Sequence, residues 1–91
     1  MAEQLVPNIL LREIDLGKKM VLFNLNKKEI LELDKISSLA YKRLKENKSK
    51  ACIVKEIHRL YNASREEIEK DMEELIATFI NKGILVRQHG S

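Results

Sequence analysis

Ninety-one residues, 44% of them apolar and 34% charged, bound one small domain whose core is too modest to enclose a deep active site. Seventeen Lys and Arg against fourteen Asp and Glu give a formal charge of +3, which permits an anionic partner without requiring one. The single cysteine, Cys52, excludes an internal disulfide and suits a reducing compartment, and no apolar run approaches a membrane span, so a cytoplasmic protein with no membrane partner is expected.

The chain opens "MAEQLVPNILL", which lacks the basic-then-apolar order of a signal peptide. Pro7 favours an extended lead-in to a first predicted strand over Asn8–Glu13. "DLGKK" supplies a turn through Gly17. Met20–Asn24, "MVLFN", is rich in strand formers and reads as the second strand. "LNKK" makes another connection, and "EILELD", Glu29 to Asp34, is the third strand running into a helix. Two turns between three short apolar runs predict an antiparallel meander. In the third strand, alternation places Leu31 and Leu33 toward the core, Glu29 at the fraying end, and Ile30 and Glu32 on the opposite face. Asp34 has the chemistry of an N-cap, because its carboxylate can accept first-turn amides.

Three helices follow. The first is predicted over residues 35–46, with Ile36, Leu39, Ala40 and Leu44 on one stripe. "NKS" breaks it. The second spans 50–61, with Ile53, Val54, Ile57, Leu60 and Tyr61 inward. "NAS" ends that one, and Ser64 with Glu67 forms a capping box, S-x-x-E, for the third over 65–82. Its apolar face is Ile68, Met72, Leu75, Ile76, Phe79 and Ile80. Gly83 occupies a helix C-cap position. Ile84–Arg87 reads as a short extended tail, and the final "HGS" as a frayed end. The expected fold class is α+β: a three-stranded antiparallel sheet followed by three helices, winged-helix-like, in one domain over 1–91.

No enzyme site emerges. The three glycines are isolated, and no Cys/His cluster has metal-ligand spacing. Cys52 reads as a small helix-packing residue, since a nucleophile needs a base and an orienting partner. His58, beside the second helix's stripe, reads as a partly buried structural histidine. The acids of the third helix read as a solvated face. Neither catalysis nor a cofactor is expected.

The rival is a winged-helix nucleic-acid binder. Charge argues against it: the first half of the third helix, Arg65–Glu74, carries six acids against two bases, and DNA would repel such a recognition helix. Bases gather instead at Lys42, Arg43, Lys45, Lys48, Lys50 and Lys55, with Tyr41 the one aromatic nearby.

An edge strand exposes unpaired amides and carbonyls, which proteins either blunt or use. If the third helix lies beside the third strand, a groove forms between them, and a peptide can add a strand to the edge. The same edge makes a homodimer through the sheet plausible. The segments "PNILL", "VLFN", "EILELD", "ISSLAYKRL", "IVKEIHRLY" and "EIEKDMEELIATFINKGIL" together resemble the PqqD-like family over residues 6–86. The most specific matches are Leu33–Asp34, where the family has Leu–Asn, and the run Asp71, Leu75, Phe79, Gly83. The turn "ENKSKA" lacks a glycine often present there.

The resemblance implies an adaptor without catalytic activity that binds the leader segment of a ribosomally made precursor peptide. The leader is expected to pair antiparallel with the third strand, at Lys28, Glu29, Ile30, Leu31, Glu32 and Leu33, and to lie against Glu67, Asp71, Glu74, Leu75 and Thr78 of the third helix. Ile30, Leu75 and Thr78 are expected to give apolar packing, and the acids to meet basic or polar leader residues. The implied partner is a modifying enzyme, often a radical S-adenosylmethionine enzyme.

Overall fold

A computed structural model describes residues 3–89 of the chain. The elements in order are β1 (Glu3–Pro7), β2 (Leu11–Asp15), β3 (Met20–Asn24), β4 (Glu29–Leu33), α1 (Lys35–Lys45), α2 (Lys50–Leu60), α3 (Arg65–Asn81) and β5 (Leu85–His89). The expected meander is present as an antiparallel sheet in the order β2-β3-β4, with Leu22 opposite both Glu13 and Leu31. Gly17, at a φ of 87°, lets the first hairpin turn. Its amide donates to Asp15 Oδ1 at 2.9 Å.

Both ends of the chain depart from expectation. The first meander strand starts at Leu11, not Asn8, because Asn8 builds a turn: its Oδ1 accepts from Leu10 N at 2.9 Å and its Nδ2 donates to the Gly83 carbonyl at 3.0 Å. The segment expected only as a lead-in is β1, which pairs antiparallel with β5, Val6 opposite Val86. The expected extended tail is therefore a paired strand. His89 belongs to it, while the Gly90 and Ser91 part of the expected frayed end lies outside the described residues.

All three helices are capped by side chains. Asp34 Oδ1 accepts from Ser37 N at 2.8 Å, Ser49 Oγ from Cys52 N at 3.1 Å, and Ser64 Oγ from Glu67 N at 3.2 Å. The missing glycine after α1 is made good by Asn47, at a φ of 62°. Lys48 N reaches the Arg43 carbonyl and Asn47 N the Leu44 carbonyl, the paired bonds of a Schellman ending. Gly83 ends α3 the same way, with Ile84 N on the Phe79 carbonyl and Gly83 N on that of Ile80.

The core lies between the inner face of the meander and the helices. Met20, Leu22 and Leu33 enter it from the sheet, and Ile53, Val54 and Ile57 from α2. At its centre Tyr41 meets Phe79 edge-on, ring centroids 5.6 Å apart. Tyr41 was expected beside the basic residues, yet it is fully buried, with its hydroxyl donating to Glu13 Oε2 at 2.6 Å. Two residues assigned inward by periodicity, and the cysteine read as a helix-packing residue, are not. Ile36 is 39% exposed at the first turn of α1, and Leu60 is 55% exposed beyond the buried stripe of α2. Cys52 is exposed as well, because Ile53, Val54 and Ile57 define the inward face and leave it on the other flank. His58 is also exposed. It is nonetheless structural: its Nδ1 lies 3.0 Å from the Ala63 carbonyl, bridging the turn after α2.

Asn24 joins the two halves of the fold. This buried side chain accepts from Asn26 N and Lys27 N, holding the β3–β4 turn, and donates to the Lys82 and Gly83 carbonyls at 3.0 and 3.1 Å. It thereby satisfies carbonyls that the end of a helix leaves unpaired. A Cβ at Gly83 would stand 2.8 Å from Asn24 Nδ2, in a backbone with φ of 69°. Gly83→Ala is therefore expected to lower stability by about 2 kcal/mol, read as a shift in urea midpoint at constant m-value.

Burial pushes the Glu13 carboxyl up, but hydrogen bonds from Lys45 and Tyr41 outweigh it and hold the group below its ordinary value of 4.5. A depressed carboxylate contributes stability that is present above its unfolded pKa and lost as pH falls through the folded one. Glu13→Gln is expected to destabilise at pH 7 and to approach the parent protein as the pH falls below 4.5, measured by denaturant titration at both ends of that window.

Candidate functional site

Among the described residues β4 pairs with β3 on one side only, so its other side is an open edge of the meander. The alternation expected for it is observed: Leu33 is buried and Leu31 partly so, whereas Ile30 is 62% exposed and Glu32 is exposed. Lys28, at a φ of 54°, closes the preceding turn and is exposed.

α3 runs beside this edge, held by contacts at the start of β4 and sharing a groove with the residue just past its end. At the start of the strand, Glu29 Oε2 meets Lys82 Nζ at 3.1 Å, and Lys27 Nζ donates to the Asn81 carbonyl at 3.2 Å. Just past the end of the strand, Asp34 lines a groove of about 390 Å3 together with Asp71, Glu74, Leu75 and Thr78 of α3. β4 and α3 are thus antiparallel neighbours.

The groove continues to the N-terminal turns of α1 and the end of α2. Its apolar floor comes from Ala40, Ile57, Ile68, Met72 and Leu75, and Ile36 and Ser37 stand at its side. Two of the lining residues are short, Ala40 on α1 and Ala63 in the turn between α2 and α3. Thr78 Oγ1 donates to the Glu74 carbonyl at 2.9 Å, which spends its hydroxyl and leaves its methyl for contact.

Four of the five helix residues singled out from the sequence, Asp71, Glu74, Leu75 and Thr78, line this one groove. Glu67 does not; it lies in the first turn of α3. Lys28, Glu29, Ile30, Leu31, Glu32 and Leu33 form the neighbouring edge and its lead-in, without lining the groove itself. Asp34, Ile36, Ser37, Ala40, Ile57, Ala63, Ile68 and Met72 were missed as groove residues. Ile36 carried a signal: it prolongs the Ala40–Leu44 stripe of α1 by one turn, to the helix start, where it stays exposed.

The acids along the edge are largely neutralised. Glu32 meets Lys19 at 2.9 Å, whose hydrogen bond and charge hold its carboxyl below the ordinary value. The basic cluster is neutralised too. Lys42 pairs with Asp15, Arg43 with Glu56 and Glu46, Lys45 with Glu13, and Lys50 with Glu73. Four of the six bases that favoured a nucleic-acid surface are therefore engaged within the protein. Among the described residues, no group of three or more His, Cys, Asp or Glu is placed to hold a metal ion, and no helix is long and apolar enough to cross a membrane.

The family model for coenzyme PQQ synthesis protein D (PqqD) matches residues 19–85. The fold is shared with a solved structure described as "TbiB1 in Complex with the TbiA(beta) Leader Peptide", at 22% identity and a TM-score of 0.82, covering 94% of this chain and 99% of that one. It is shared equally with "Lasso peptide synthetase B1 complexed with the leader peptide", at 20% identity and a TM-score of 0.81 with the same coverage. No curated protein matches the chain.

Leu75 faces the groove half-buried, whereas Phe79, one turn on, is fully buried. Leu75→Ala is expected to lower stability by about 1 kcal/mol and Phe79→Ala by about 3–5 kcal/mol, compared by thermal and urea unfolding.

Proposed function

The chain belongs to the coenzyme PQQ synthesis protein D family, and we propose that it is a non-catalytic adaptor that captures the leader segment of a ribosomally made precursor peptide. The observation that carries this reading is the open edge of β4 held beside an apolar groove on α3. A leader entering as a fourth strand, antiparallel to β4, satisfies the free amides and carbonyls of Glu29–Leu33 and places alternate side chains in the groove. Backbone pairing supplies affinity and the groove supplies selectivity. Two proteins with this fold are described in complex with leader peptides, which supports a leader as the ligand.

In this reading Ile30 packs against outward-facing leader side chains, Leu75 and Thr78 against inward-facing ones, and Asp71, Glu74 and Glu67 meet polar or basic positions. The adaptor presents its peptide to a modifying enzyme in the cytoplasm, with a radical S-adenosylmethionine enzyme the first to test. A second copy pairing through β4 would occupy the same edge, so dimerisation and peptide capture compete.

The test is an amide-shift titration with the leader of a precursor peptide encoded nearby, beside a duplex DNA control. Shifts at Glu29–Leu33 and along Asp71–Thr78 with peptide alone are expected. Ile30→Asp should weaken binding at least about tenfold, or about 1.4 kcal/mol, at unchanged melting temperature, because Ile30 is exposed in the free protein. Shifts around Lys42–Lys55 with DNA and none with peptide would sink the proposal.

A further inference from the structure

The groove is one-signed. Of its twelve lining residues, Asp34, Asp71 and Glu74 are acidic and none is basic, in a chain of formal charge +3. Elsewhere the acids next to the sheet and α1 are matched by bases: Glu13 by Lys45, Asp15 by Lys42, Glu29 by Lys82, Glu32 by Lys19. Asp71 and Glu74 hold no ion pair among the described residues, although the neighbouring Glu73 does, with Lys50. Glu66, Glu67 and Glu69 of the same helix are likewise without an ion pair among the described residues but stand outside the groove, so Asp71 and Glu74 are the α3 carboxylates that combine an open charge with a place beside the apolar floor.

Spacing turns this charge into a pattern. Asp71 and Leu75 are four apart and share a face of α3, separated by about 6 Å of helix rise. In an extended peptide, side chains on one face recur every two residues, about 7 Å. A side chain over Leu75 therefore has its same-face neighbour over Asp71. Direction is set as well. β4 runs from Glu29, beside Lys82, to its end before Asp34, beside Asp71. A strand antiparallel to β4 must run the other way, passing Asp71 before Leu75.

The geometry points to a leader peptide carrying lysine or arginine two residues before a large apolar anchor, a basic-x-apolar triplet. This inference rests on the adaptor reading and adds the substrate class to it. The anchor fills the floor between Leu75, Met72 and Ile57. The stem of the base lies along apolar surface while its head meets Asp71 and Glu74 at the rim.

A displayed library of random 12-residue peptides, selected on the immobilised chain and in parallel on the Asp71→Asn/Glu74→Gln double variant, tests it. Enrichment of Lys or Arg two positions before Leu, Ile, Phe or Tyr is expected on the parent chain. On the double variant the basic preference should vanish while the apolar one persists. In a selected peptide, exchanging the base for glutamine should weaken binding about fivefold at low salt. Apolar enrichment with no base at that offset, or a basic preference that survives in the double variant, overturns the inference and leaves the adaptor reading standing. No enrichment, or selected peptides whose amide shifts miss Glu29–Leu33, overturns the adaptor reading and this inference with it.

Discussion

One buried amide sets the relation between sheet and helix. Asn24 sits at the last residue of β3, where the meander turns to make β4, and its two polar atoms face opposite tasks. The oxygen gathers the amides of the turn, and the nitrogen gathers the carbonyls that end α3. A buried polar group left unmatched is expensive, so this arrangement is close to all-or-none. It fixes where α3 stops relative to where β4 starts. A groove between a strand edge and a helix needs that relation to be rigid, since a helix one turn farther along would lie over different residues of the edge.

The rest of the fold keeps the edge available without leaving it adhesive. Tyr41 and Phe79 fill the centre, so α3 is anchored from within and need not lie across β4 to be stable. The exposed side of the strand carries charge at Glu32, paired with Lys19, and Lys28 precedes it. Charges at such positions oppose indiscriminate pairing of edges. The bases of α1 and the start of α2 are drawn into pairs with Glu13, Asp15, Glu46, Glu56 and Glu73, which leaves the protein's net positive charge poorly suited to reading a polyanion.

Much of this was legible in the sequence because it is local. The turn at Gly17, the alternation in "EILEL", the caps at Asp34 and Ser64 and the left-handed Gly83 depend on residues within a few positions of one another, and all are where the pattern put them. What escaped is long-range. β1 and β5 are some eighty residues apart and individually unremarkable, so their pairing leaves no periodic trace. Tyr41 looks like a surface aromatic among lysines until Glu13, twenty-eight positions away, is seen to take its hydroxyl. Helical periodicity marks which residues share a face, not how far along the helix that face is covered. Ile36 and Leu60 sit past the covered length, and at Ile36 the uncovered length is the groove.

The ribbon of β1 and β5 bears on how such an adaptor can be built into larger proteins. Glu3 and His89 are Cα partners, so the chain enters and leaves the fold at one place. Among the described residues, none from either strand lines the groove. Joining these two points by a short linker adds little closure entropy, so a circular permutant opened at the Leu16–Lys19 turn retains every strand and helix. By the same geometry, the domain can sit as an insert in a loop of another protein, both connections leaving side by side. For a protein proposed to hand a bound peptide to an enzyme, that places the choice of covalent or free association with the enzyme outside the fold itself.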